Sequence, residues 1–179
     1  GKGNTALGAI IGGVVGGAAG GYIGSRMDKQ AKQIEQEIPG AEVERVGEGI
    51  NVTFDENSGI YFDTEKYNIN GKSREALHKL VGIFKEYPDT EILVEGHTDN
   101  TGSDSYNLTL SKNRAQAVTN FLVSDGISKG RFDTKWDGEA QPKYDNSTAE
   151  GRAKNRRVEL AIVANEQMKK EAEAATEEN

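Results

Sequence analysis

Asp99, Asn107 and Arg114 are the residues whose types and spacing suit recognition of a charged small molecule. Asp99 lies in a polar loop that leaves an apolar run, and Arg114 follows 15 residues later inside a helical pattern. On helical geometry Arg114 points about 60° from the centre of the apolar stripe, at the edge of the buried face. Asn107, one heptad earlier, points within about 20° of the same direction. A carboxylate, an amide and a guanidinium therefore converge, which suits a zwitterion: Asp99 for an ammonium, Arg114 in a two-pronged hold on a carboxylate. The same spacing equally suits an internal Asp99–Arg114 salt bridge that merely ties the loop to the helix. Arg152, Lys154, Arg156 and Arg157 form a basic segment further on. Such a segment is ordinarily a solvated face, although one of its arginines is close enough to the last strand to reach the same pocket.

Other chemistries find little support. The sequence shows no nucleophile–base pair, P-loop or metal-ligand spacing, so neither a catalytic set nor a metal or other cofactor is expected. His97 is expected to be structural or to sit at the rim of the pocket. The chain has no cysteine, which removes disulfides and thiolate ligands. A net charge of −7 argues against nucleic acid as a partner.

The elements that must position these residues can be traced in order. Val43–Val46 is a short strand candidate, and Ile50, Val52 and Phe54 alternate with polar residues as in a half-buried strand. A loop carrying Ile60, Tyr61, Phe62 and Asp63 follows. Leu77, Leu80, Val81 and Phe84 then mark one face of a helix that starts near Gly71 and ends at Tyr87-Pro88. Ile92–Val94 is apolar at consecutive positions, hence a strand buried on both faces. This βαβ order implies a parallel pair. A second helix is expected over residues 105–124, with Leu108, Ala115, Val118 and Leu122 as its core stripe. Residues 131–136 suggest another strand, 137–146 a loop, 148–155 a short helix, and Val158, Leu160 and Ile162 the last strand.

The N-terminal region is of another kind. All 19 residues from Ala6 to Gly24 are glycine or apolar, with glycines at 8, 12, 16, 20 and 24. On one helix they form a stripe that admits a close partner, the packing logic of GxxxG. As a helix of about 28 Å the segment barely matches a hydrocarbon core of roughly 30 Å. Membrane association or self-association is the leading expectation for this glycine zipper. The alternatives are a helix packed on its own domain, a flexible linker, and a signal-peptide core. Four parts are expected: the zipper over 1–25, a helical spacer over 26–40, an α/β domain over 41–164, and a charged tail over 165–179, frayed or disordered.

GHTDNTG, then YNLTLSKNRAQAV, the GI at 126–127 and finally NSTAEGRAKNRRVEL together resemble the OmpA-like peptidoglycan-binding domain of bacterial envelope proteins. The likeness runs from about Ile50 to Val163. The preceding zipper is similar to that of YiaD-like envelope lipoproteins. The resemblance implies an α+β (mixed α/β) fold of βαβαβ order, with a mixed parallel and antiparallel sheet and helices packed on one side. It further implies non-covalent binding of peptidoglycan through the diaminopimelate of its stem peptide, whose side-chain end carries both an ammonium and a carboxylate. The family's paired Asp and Arg fall on Asp99 and Arg114, and its supporting contacts on Thr98, Asn107 and Arg156. An outer-membrane location follows, with the domain in the periplasm, the N-terminal segment or a lipid anchor ahead of residue 1 as the membrane element, and homo-oligomers through the zipper. Two departures stand out: Trp136-Asp137-Gly138-Glu139 replaces the frequent Gly-x-Gly-Glu, and the lipidated Cys of lipoprotein members has no counterpart here.

Overall fold

In a computed structural model, which describes residues 5–55, 69 and 71–177, five strands form one sheet in the order β1-β2-β5-β3-β4. The strands are β1 (Glu42–Val46), β2 (Gly49–Phe54), β3 (Thr90–His97), β4 (Phe132–Gly138) and β5 (Val158–Ala164). The helices are α1 (Ala6–Gly12), α2 (Gly17–Glu37), α3 (Gly71–Glu86), α4 (Asp104–Ser124), α5 (Ala149–Asn155) and α6 (Glu166–Glu177). The sheet is mixed, as expected: β3 and β4 run parallel, while the β1–β2, β2–β5 and β5–β3 pairs are antiparallel.

The expected parallel pairing of residues 50–54 with 92–94 is corrected by this order. β2 and β3 do run in the same direction, but β5 lies between them and pairs with both. Antiparallel pairing on each side gives β5 the central position, and its Val158, Leu160 and Ile162 enter the main core. The loop with Ile60, Tyr61, Phe62 and Asp63 lies outside the described residues.

The main core is built on one face of the sheet by α2, α3, α4 and α6. Leu77, Leu80, Val81 and Phe84 of α3 are all buried there, as their spacing predicts. In α4 the stripe differs from expectation, because Leu108 is exposed. The buried line instead runs through Asn107, Ser111, Arg114, Ala115, Val118 and Leu122. Its first half is polar because that half faces the loop after β3 rather than the core. Arg131, in the 3-10 turn before β4, donates to the carbonyls of Phe84 and Tyr87 at 2.8 and 2.9 Å, satisfying acceptors at the end of α3.

The Gly-rich segment is not one continuous helix. It breaks after α1, and Gly16 and Gly17 adopt φ of 74° and 61° where α2 begins. The Glu48 carboxylate accepts the Val15 and Gly16 N–H groups at 2.9 Å each, satisfying donors at the start of α2. Glycine costs about 1 kcal/mol per residue of helix propensity in water, so a capped break competes well with a straight helix. Among the described residues no helix is long and apolar enough to cross a membrane. Ala6 and Ile10 of α1 pack on Leu93 and Ala161, on the sheet face opposite the main core. This cover explains why every position of β2 is buried, where alternation suggested a half-buried strand.

The charged run expected as a spacer contributes to the core as α2, through Ile23, Met27, Ala31 and Ile34. The tail expected to fray is also ordered, because α6 places Met168 and Ala172 in that same core beside α2. Two apolar residues at helical spacing in an otherwise charged segment suffice to dock it. Replacing Met168 by Ala is expected to cost about 2–5 kcal/mol in chemical denaturation, the range for a buried Met truncation. A frayed tail would show almost no change.

Candidate functional site

The site forms where β3 ends and the chain turns into α4. β3 is pressed against α4 at Gly96, where an added Cβ would stand 2.3 Å from the Ser111 carbonyl oxygen. This contact brings the polar start of α4 alongside the loop. Ser103 caps the helix by accepting the Tyr106 N–H. Within the loop, Asp99 Oδ1 accepts the Thr101 N–H at 2.8 Å, and Asn107 Nδ2 donates to the Thr101 carbonyl at 3.0 Å. Thr98 is held by two bonds, N–H to the Gly138 carbonyl and Oγ1 to the Asp99 carbonyl. Gly138 lies at φ 56°, so closely under α4 that a Cβ would meet the Leu108 nitrogen at 2.9 Å. The Trp136-Asp137-Gly138 departure therefore keeps glycine where the backbone requires it.

Arg156 arrives from the other side of the sheet's end. Asn155, fully buried at the end of α5, accepts the Lys143 and Tyr144 N–H groups and donates to the Tyr144 carbonyl and to Asn146 Oδ1. It thereby fixes the exit from α5 into β5. Arg156 Nη1 then forms an ion pair with Asp99 Oδ2. The structure brings all five sequence-predicted residues, Thr98, Asp99, Asn107, Arg114 and Arg156, to one cavity of about 180 Å³. Thr101, Tyr106 and Leu110 complete its lining. Asp99, Asn107 and Arg114 are buried, so their charges and dipoles act in a partly desolvated setting. With one carboxylate against two guanidiniums, one of them paired with that carboxylate, the cavity holds both acceptor and donor groups and a net positive charge. Chemically it can hold an ammonium at Asp99 and a carboxylate at the arginines.

Spacing did not reveal a second cluster on the sheet face beneath α1. Glu95 and His97 stand two apart on β3 and so share a face, while Arg157 and Glu159 share the neighbouring face of β5. His97 Nε2 lies 2.6 Å from Glu95 Oε1 and 3.3 Å from Glu159 Oε2, and Arg157 Nε donates to Glu159 at 3.2 Å. Burial pushes the His97 pKa down, but its hydrogen bonds to Glu159 and Glu95 outweigh this and leave it raised. Burial pushes Glu159 up, yet the His97 hydrogen bond and the Arg157 charge bring it to about 2. His97 is thus neither at the rim nor in the cavity with Asp99. The adjacent arginines diverge, Arg156 into the cavity and Arg157 into this cluster. The available signal was the shared parity of Glu95 with His97 and of Arg157 with Glu159, which became informative only once β3 and β5 were known to pair.

Comparison with known proteins agrees with this architecture. The OmpA family matches residues 61–156, and the glycine zipper family matches residues 1–31. The probable lipoprotein YiaD of Escherichia coli is 36% identical over 161 residues, covering 90% of this chain and 74% of that protein. The peptidoglycan-binding protein ArfA of Mycobacterium tuberculosis is 41% identical over 103 residues, covering 58% of this chain. The chain spans about a third of the length of ArfA and of the outer membrane porin F of Pseudomonas aeruginosa, which it also matches. Among solved structures, the cell wall anchor of the T6SS from Pseudomonas aeruginosa superposes with a TM-score of 0.65 at 28% identity, over 78% of this chain and 97% of that one. A sheet with an inserted last strand, a charged cavity at the end of its third strand, and relatives along nine-tenths of the chain lead to one conclusion: the protein belongs to the OmpA family and carries a glycine-zipper segment ahead of its OmpA domain.

Proposed function

We propose that the chain is a non-enzymatic envelope tether that binds the diaminopimelate end of the peptidoglycan stem peptide. The observation that carries this reading is the 180 Å³ cavity that gathers buried Asp99, its ion-pair partner Arg156, and buried Arg114. Asp99 takes the ammonium, Arg114 and Arg156 take the carboxylate, and Thr98 and Asn107 hold the loop in register. Among the relatives, ArfA is named for binding peptidoglycan. Residues 41–164 form the wall-binding unit in the periplasm, and the N-terminal segment faces the outer membrane.

Asp99→Ala and Arg114→Ala are each expected to abolish co-sedimentation with purified sacculi while circular dichroism stays native. Truncating one partner of a desolvated charge pair costs about 2–5 kcal/mol of binding, enough to lower affinity by roughly 30-fold or more. Binding should also weaken with salt. Retained binding by both variants overturns the assignment, and unfolding of both favours a purely structural ion pair.

A second reading, an assembly protein that oligomerises through the zipper, rests on the exposed Leu7, Ile11, Val14 and Val15. Sedimentation of the full chain separates the two. An oligomer that dissolves on Ile11→Ser and Val14→Ser supports the second reading, and a monomer supports the tether.

A further inference from the structure

Glu95 and Glu159 are direct partners across the β3–β5 pair, and both are buried. Like charges directly opposite on neighbouring strands repel, and burial sharpens the penalty, so the position between them calls for a cation. His97 Nε2 points into that position from the same face, and the three ligand atoms lie within 4.8 Å of one another. Each carboxylate is also oriented from outside. The Ala6 N–H donates to Glu95 Oε2 at 3.0 Å and leaves Oε1 toward His97, while Arg157 Nε donates to Glu159 Oε2, the same oxygen that faces His97. The bond to Glu95 is of the outer kind that usually supports metal-ligating carboxylates.

The other ring nitrogen of His97 calls for a partner of its own, as it does when Nε2 ligates an ion and Nδ1 carries the N–H. His97 Nδ1 is buried without a hydrogen-bond partner, on a residue only 1% exposed that lines a cavity of about 530 Å³ under α1. Asn51, whose Nδ2 is also buried and unpartnered, lines the same cavity. The cavity has the room and polarity for a water that accepts from Nδ1–H while Nε2 ligates an ion.

We propose that Glu95, His97 and Glu159 form a divalent-metal site, taking Zn²⁺ or a similar first-row cation. One imidazole nitrogen with two carboxylate oxygens suits these ions better than Mg²⁺ or Ca²⁺, which favour all-oxygen shells. The ion replaces the proton shared along His97 Nε2, cancels the repulsion between the opposed glutamates, and leaves coordination positions open toward the cavity. Arg157 opposes it electrostatically and so limits its affinity. Through the Ala6–Glu95 bond the ion would also fasten α1 to the sheet. This site is separate from the wall-binding cavity and does not depend on the tether reading.

The test is titration of chelator-stripped full chain with Zn²⁺ or Mn²⁺ by calorimetry and thermal unfolding. One ion per chain is expected, with Tm raised by about 5 °C or more at a hundredfold excess over Kd. Glu95→Gln and Glu159→Gln should each weaken binding at least about 10-fold. His78→Ala, which removes the exposed histidine beside Asp125, should leave it unchanged. Should the glutamine variants fold poorly, X-ray absorption of the Zn²⁺-loaded wild-type chain decides, with one imidazole in an otherwise oxygen shell expected. Absence of both heat and Tm shift overturns the proposal, as does binding that survives both glutamine variants or a shell without imidazole.

Discussion

Replacing His97 by leucine is expected to cost about 3–5 kcal/mol of folding stability, the range for removing one partner from a buried ion pair. The loss comes less from the imidazole than from what it leaves behind, two buried glutamates facing each other across the strands. Adding Glu95→Gln to the leucine variant should therefore recover part of the loss, because the repulsion goes with the charge. Measured with chelator present, the effect also has a pH signature. His97 has a raised pKa in the folded state, so its contribution is complete below its ordinary value of 6.5 and is lost as pH rises through the raised one. Glu159 is depressed to about 2, so its contribution is present above its ordinary value of 4.5 and is lost as pH falls toward 2. The cluster therefore stabilises most between about pH 4.5 and 6.5. Wild-type unfolding free energy should decline on the alkaline side of that window, and the leucine variant should lack this decline.

Much of the scaffold was legible because its signals are local. The stripe of Leu77, Leu80, Val81 and Phe84 needs only helical spacing, and the consecutive apolar residues Ile92–Val94 need only burial on both sides. What spacing could not supply was the partner of each strand. A βαβ order specifies direction, not adjacency, so β5 between β2 and β3 became visible only in three dimensions. The Gly-rich segment shows the same limit. Its regular glycines are compatible with a straight helix among other helices, but a carboxylate at Glu48 and an apolar patch at Leu93 and Ala161 favour a break and a fold-back. Neither partner is near it in sequence.

The site was half legible in the same sense. Helical geometry placed Asn107 and Arg114 on one line, and both are buried beside the loop that carries Asp99. Arg156 lies 57 residues from Asp99 and came from the family likeness, since nothing in the intervening sequence indicates that α5 ends against that loop. The likeness described one set of residues at one cavity. It had no bearing on Glu95, His97 and Glu159, whose relation depends on strand register.

Gly96→Ala should be strongly damaging although it adds a single methyl group. The new Cβ would meet the Ser111 carbonyl oxygen at 2.3 Å and the Ala115 Cβ at 3.2 Å. The first contact is backbone, so no side-chain rotation relieves it and β3 and α4 must separate. Overpacking of a tight core typically costs about 1–3 kcal/mol, and a clash with helix backbone belongs at or above the upper end of that range. Separation would also shift Asn107 and Arg114 against Asp99, because all three are positioned by this crossing. Wall binding should consequently fall even in the fraction that remains folded, which sacculus co-sedimentation at matched folded concentration would show. Gly82→Ala supplies the contrast. That glycine lies in the exposed side of α3 with nothing within 4 Å of an added Cβ, so the change should stabilise by about 0.5–1 kcal/mol and leave binding intact. Equal effects of the two substitutions would mean that the strand and helix do not approach as closely at Gly96 as this geometry requires.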